Sequence, residues 1–201
     1  MRVWEYGEDA LLVELTDVAA VVALRAGLER DPVAGIEEMV PAARTVLLRL
    51  APDADATHVM ALVQRRSLSA AEPEPGAVVE IPVTYDGDDL DEVAGLTGLS
   101  VDDIVAAHTG ADLTVAFCGF APGFGYLVGL PESLHVPRRR EPRTKVPAGA
   151  VGLAAEFTGV YPRESPGGWQ LIGRTAAVLW DADQDPPALL RPGITVRFRP
   201  A

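Results

Sequence analysis

The sequence predicts an α+β protein of two domains, a small ferredoxin-like α/β domain over residues 1–75 and a mostly β domain over residues 76–201. Three observations carry that expectation. Up to about residue 66 the apolar residues alternate between helical and strand periods. The run SLSAAEPEPGA at 67–77 then reads as a linker and marks a boundary near residue 75. Beyond it, short strand patterns are separated by Gly- and Pro-rich turns, as in a barrel or sandwich.

The elements follow in order. Residues 3–6 and 10–15 read as a hairpin, or one bent strand, about Gly7. Asp17 can cap a helix running to about Arg30, with Val18, Val21, Val22 and Leu28 on one face. Gly35 ends that element, and residues 36–40 and 45–50 read as strands about a turn at Pro41. Asp53 or Asp55 can cap a second helix that buries Val59, Leu62 and Val63 and leaves His58 as a surface or structural residue. The order β-α-β-β-α suits a ferredoxin-like sandwich. The second domain opens with a strand at 78–85 and two short helices. Ser100 with Asp103 forms a capping box for SVDDIVAAHTG, and Gly110 stops that helix. Strands are then predicted at 113–120, 151–157, 169–172, 176–180 and 194–198.

Composition narrows the function classes. The chain has 201 residues, a formal net charge of -12 and 48% hydrophobic residues, which is ordinary for a soluble globular protein. The charge argues against a nucleic-acid-binding surface. No apolar run is long enough to span a bilayer, and the first residues carry acidic groups where a signal peptide needs an apolar stretch, so a cytoplasmic protein is expected. Cys118 is the one cysteine, and His58, His108 and His135 form no paired metal-ligand motif, so no metal site is expected in this chain.

Residues 119–174 stand apart, with ten of the 19 glycines and seven of the 17 prolines. Such a segment is a set of shaped loops carried on strands, where binding residues tend to sit. Within it Arg138, Arg139, Arg140, Arg143 and Lys145 against Glu141 give +4, directly after 62 residues (76–137) with ten acidic groups and no basic one. This basic focus can hold a small anion, or it can pair internally with the acidic segment. FAPGFGYL lacks both GxxxxGK[ST] and GxGxxG, and the chain has no GxSxG, so phosphate-loop and serine-hydrolase readings fail. Cys118 reads as a buried small residue within TVAFCGF. Arg143, Lys145, Arg163 and Arg174 are candidates to clamp carboxylate or phosphate. Phe120, Phe124, Tyr126, Tyr161 and Trp169 can wall a pocket or fill a barrel core. His108, near a helix end, is the one histidine with a possible acid–base role; its alternative is a histidine favoured by the helix dipole.

Three ordered motifs carry a resemblance: GFAPGFGYLVGL at 119–130, PRTKVPAGAVG at 142–152 and TGVYPRESPGGWQLIGRT at 158–175. They resemble the KipI/allophanate hydrolase subunit 1 family, and with the helix ending in His108 and the ALLVEL start the likeness covers nearly the whole chain. The resemblance implies an N-terminal α/β domain followed by a cyclophilin-like β-barrel. It implies two partners, a KipA/allophanate hydrolase subunit 2 type protein (the C component) and an A component. With them the family forms an ATP-dependent 5-oxoprolinase that opens 5-oxo-L-proline to L-glutamate, this chain being the B component. ATP is expected to be used by the assembly rather than bound by this chain alone. In KipI itself the same fold inhibits a sensor histidine kinase, the alternative function; prolyl isomerisation has only the barrel as support. The site candidates are then His108, Arg143 and Lys145 for chemistry, with Arg143, Lys145, Arg174, Tyr126, Tyr161, Phe120 and Gln170 for substrate or anion binding. The family usually has Gln before TGxYP, where this chain has Phe157. A group able to hydrogen-bond a lactam is thereby replaced by an aromatic ring. Ala150 stands where the family often has Ser.

Overall fold

A computed structural model describes residues 1–68 and 78–201, so most of the expected linker at 67–77 lies outside the described residues. The chain separates into two compact units, Met1–Glu74 and Pro75–Ala201.

In the first unit β1 (Arg2–Tyr6) and β2 (Ala10–Glu14) form a hairpin. Helix α1 (Val18–Arg30) follows, then β3 (Ile36–Pro41), β4 (Thr45–Leu50) and α2 (Ala56–Gln64). Both helices start as the sequence suggests: Asp17 accepts from the Ala20 N–H at 2.8 Å, and Asp55 accepts from the His58 N–H at 3.0 Å. The sheet order is β1-β2-β4-β3, every neighbouring pair antiparallel, so β4 lies between two strands joined through α1. Leu11, Val13, Val46 and Leu48 from one sheet face meet Val21, Leu24, Leu28, Val59 and Val63 of the helices. Val18 and Val22, expected on the buried stripe, are half-buried; Leu24 takes their place because the stripe advances at 3.6 residues per turn from Val21 through Leu28.

The second unit is a nearly closed barrel. Its seven-stranded sheet has the order β12-β9-β10-β7-β6-β13-β5. The strands are β5 (Val78–Val83), β6 (Leu113–Cys118), β7 (Gly125–Val128), β9 (Ala150–Ala154), β10 (Phe157–Val160), β12 (Gln170–Arg174) and β13 (Thr195–Pro200). A bridge between Thr84 and Arg174, with N–H···O bonds of 2.9 Å each way, brings the two edge strands together. A two-stranded ribbon pairs β8 (Arg143–Val146) with β11 (Ser165–Gly167). Helices α3 (Leu90–Thr97) and α4 (Val101–Thr109) add Val93 and Ile104 to the barrel core. Ser100 caps α4 by accepting from the Asp103 N–H at 3.1 Å.

Two strand expectations change. The strand expected at 151–157 is two strands joined by a hairpin turn in which Ala155 adopts φ 50°. That turn is tied down by the Ala155 N–H donating to the Val136 carbonyl at 2.7 Å. The segment 176–180 is not a strand; only Trp180 bridges, to Ala188. Among the described residues no helix is long and apolar enough to cross a membrane.

Candidate functional site

Three arrangements in the second unit gather the sequence candidates. The first is ionic. Asp89 sits at the N-cap of α3, yet its carboxylate makes no bond to that helix. It accepts from both Arg143 guanidinium nitrogens at 2.9 and 2.7 Å, from Arg139 at 2.5 Å and from the Leu171 N–H at 2.7 Å. Asp89 is 2% exposed. Burial pushes its carboxyl pKa up, but the Arg143 and Leu171 hydrogen bonds outweigh this and hold it below the usual carboxylate range. The internal pairing of the basic and acidic segments is therefore the arrangement observed, and the Arg143 fork is occupied by a carboxylate of its own chain. Lys145 and Arg174 are exposed and hold different carboxylates, Glu164 at 3.1 Å and Asp86 at 2.8 Å. Arg163 is exposed. Of the clamp of Arg143, Lys145, Arg163 and Arg174 expected from sequence, Arg143, Lys145 and Arg174 thus hold separate carboxylates. Gln170 is 1% exposed; its amide donates to Glu92 at 3.2 Å and to the Pro137 carbonyl at 3.4 Å, while its Oε1 has no partner among the described residues.

The second arrangement is a buried hydrogen-bond chain. His108 is fully buried inside the barrel and stacks on Phe198 with ring centroids 4.5 Å apart. Its Nδ1 lies 2.7 Å from the Tyr85 hydroxyl and its Nε2 2.9 Å from Thr158 Oγ1. Thr158 donates its one hydroxyl proton to the Gly152 carbonyl at 3.1 Å. Oγ1 must then accept from His108 Nε2–H, which leaves Nδ1 to accept from the Tyr85 O–H. Burial drives the His108 pKa down to about 3 and the Tyr85 hydroxyl well above its ordinary value. His108 is thus a neutral, fully engaged core residue rather than a surface acid or base.

The third arrangement is aromatic. Phe117, Phe124, Tyr126, Phe157, Tyr161 and Trp169 pack mostly edge to face, with Phe124 in ring contact with Tyr126, Tyr161 and Trp169 at 5.0 to 5.4 Å. Gly159 makes room for them: a Cβ there would lie 3.2 Å from the Trp169 ring and 2.8 Å from a main-chain oxygen. Phe157 packs on Phe117 and Tyr126 at 5.8 and 5.6 Å and so completes this cluster. Phe120 closes one side at φ 66° and is 56% exposed. A non-glycine residue in the left-handed region is uncommon, and strain of this kind gathers at functional surfaces. Beside it an open groove of about 430 Å³ runs between the 119–123 turn and Trp180, floored by Cys118 and Leu190. Sequence reasoning named Phe120, Tyr126 and Tyr161; it did not anticipate Trp180, because the strand expected at 176–180 hid it. Among the described residues no group of three or more His, Cys, Asp or Glu can hold a metal ion.

Residues 1–190 match the carboxyltransferase domain, subdomains C and D, and the chain belongs to that family. It is 42% identical over 210 residues to the B subunit of the Escherichia coli O157:H7 5-oxoprolinase, covering 99% of this chain and 95% of that protein. Among solved structures, TTHA0988 superposes with a TM-score of 0.79 at 35% identity, over 96% of this chain and 40% of that one. The urea amidolyase of K. lactis shares the fold, with a TM-score of 0.73 at 22% identity over 99% of this chain and 15% of that one.

Proposed function

We propose that this chain is the B component of an ATP-dependent 5-oxoprolinase. It acts with an A component and with a KipA/allophanate hydrolase subunit 2 type protein, the C component, to open 5-oxo-L-proline to L-glutamate. The observation that carries the reading is the end-to-end likeness to the Escherichia coli protein. The chemistry is consistent with a shared site. An unstrained lactam opens slowly near neutral pH, and phosphoryl transfer from ATP makes its carbonyl carbon a better electrophile. Cations must surround the transferring phosphate. Here Arg139 and Arg143 are committed to Asp89, and the sequence has no phosphate loop. The phosphate chemistry is therefore assigned to the partner proteins, and this chain supplies the apolar face on which the substrate rests. In the same reading the first unit is a ferredoxin-like domain and the second a cyclophilin-like barrel, with the domain boundary near residue 75.

Reconstitution tests this. Oxoproline-dependent ATP hydrolysis is expected from the three components together and not from this chain alone. No turnover by the full assembly, or equal turnover by the isolated chain, overturns the proposal. The exposed groove between Phe120 and Trp180 favours one second reading, a regulatory protein that inhibits a sensor histidine kinase. Autophosphorylation of candidate kinases with and without the chain decides it, and no effect on any removes it.

A further inference from the structure

We infer that Arg138, with the hydroxyls of Tyr126 and Tyr161, forms a binding site for a small monocarboxylate against the aromatic face of the barrel. The site deepens the proposed function and rests on it for the identity of the ligand, 5-oxo-L-proline.

Main-chain bonds on either side place Arg138. The Arg139 N–H donates to the Gly168 carbonyl at 2.8 Å, and Gln170 Nε2 donates to the Pro137 carbonyl. These hold 137–139 alongside 168–170, next to Trp169. Both tyrosines pack on that same indole, with centroids 5.6 Å from Tyr126 and 6.3 Å from Tyr161. Arg139 turns its guanidinium to Asp89 and Glu92, whereas Arg138 is exposed and joins no ion pair or hydrogen bond among the described residues. Its charge reaches both phenols: burial raises the Tyr126 and Tyr161 pKa, and Arg138 opposes the rise at each. Tyr161 is 2% exposed, and the Trp169 main chain beside its hydroxyl offsets part of the rise that burial causes. Tyr161 has little freedom to leave, since its oxygen lies where a Cβ on Gly167 would go, 2.4 Å from it.

The chemistry selects the ligand. One guanidinium and two neutral hydroxyls offer donors, and no carboxylate of the described chain is paired with any of the three. A single negative charge with two acceptor oxygens balances that set. A triphosphate asks for more positive charge than one arginine provides. Phe120, exposed at one edge and 6.2 Å from Tyr161, gives the compact uncharged body of the ligand an apolar wall.

Two measurements test the site. In the three-component assembly, Arg138→Ala is expected to raise the KM for 5-oxo-L-proline at least about tenfold, the ordinary loss for a charge-assisted bond, and leave the KM for ATP within about twofold. Arg138→Lys should recover part of the loss, and Tyr126→Phe should reproduce a smaller one without removing a charge. In the second, the isolated chain is titrated with 5-oxo-L-proline, 2-pyrrolidone (the same lactam without a carboxylate) and inorganic phosphate, followed by tryptophan fluorescence. Saturation by oxoproline alone, lost in Arg138→Ala, is the expected result. An assembly without oxoproline-dependent turnover, together with Arg138-dependent carboxylate binding by the chain, rejects the enzyme reading and keeps the site. Absence of any Arg138-dependent effect in both measurements overturns the site, as does phosphate binding in preference to carboxylate. Near-UV circular dichroism of each variant checks its fold, and Tyr126→Phe carries the test if Arg138→Ala is unfolded.

Discussion

Arg138 and Arg143 belong to one basic run, PRRREPRTK, yet the structure uses them oppositely. Arg143, with Arg139, reaches back some fifty residues to a carboxylate that is almost wholly buried. Arg138 remains at the surface beside two phenols with no carboxylate partner among the described residues. The difference teaches that a cluster of positive charge does not announce its use. The partner each cation finds decides whether it holds the fold or waits for a ligand, and the partner is set by topology rather than by neighbours in sequence.

The largest expected effect attacks the holding side of that comparison. Asp89→Ala removes the one carboxylate shared by two arginines and the Leu171 N–H, leaving Arg139 only its longer contact to Glu92 at 3.4 Å and Arg143 only Asp88 at 3.9 Å. Breaking a buried ion pair from one side costs about 3–5 kcal/mol, so chemical denaturation should show a loss of that order. Arg143→Ala should fall in the same direction and Arg138→Ala should not. Equal stability of all three with the parent would dissolve the contrast.

The aromatic side has its own structural test. Phe157→Gln places an amide among Phe117, Tyr126 and their neighbours. Lost packing and an unpartnered buried polar group together cost about 2–4 kcal/mol. A stable Phe157→Gln protein with an unchanged denaturation midpoint would mean that the ring is not part of the packing described.

How much of this was readable beforehand depends on the distance between partners. The caps at Asp17, Asp55 and Ser100 act within three residues and are legible in the sequence, the second as a choice between Asp53 and Asp55. The barrel strand Gly125–Val128 and the ribbon strand Arg143–Val146 were hidden by the same glycines and prolines that mark the turns between strands. The break at Ala155 was invisible because alanine rarely adopts a positive φ. His108 reads either as an acid or base or as an end-of-helix histidine, since Tyr85 and Thr158, which bury and bond it, lie 23 and 50 residues away. For the site, Phe120, Tyr126 and Tyr161 stood out as aromatics among Gly and Pro, whereas Arg138 looked no different from Arg139 and Arg140.

The His108 chain gives a gentler effect that pH exposes. The folded-state pKa is pushed down to about 3 from 6.5, so the unfolded chain binds the proton first as pH falls. The contribution of His108 to stability is complete above about pH 6.5 and is lost as pH falls toward 3, at about 1.4 kcal/mol per pH unit. Urea midpoints of the parent should drop between pH 7 and 5 more steeply than those of His108→Gln, which has no imidazole to protonate. Parallel curves would show that the histidine is not buried and neutral as described.

The smallest effect is expected from Lys145 and Arg174, and it sharpens the comparison most. Lys145 and Arg174 each face a carboxylate, but their side chains are 75% and 69% exposed. Exposed pairs of this kind hold long side chains against water and salt with little net gain. Lys145→Ala and Arg174→Ala should therefore leave the melting temperature unchanged within error. If the assembly also keeps its oxoproline KM, these two belong neither to the fold nor to the carboxylate site. If instead either variant raises that KM at constant melting temperature, the exposed carboxylates Glu164 and Asp86 are ground-state partners displaced by substrate, and the site extends beyond the two phenols.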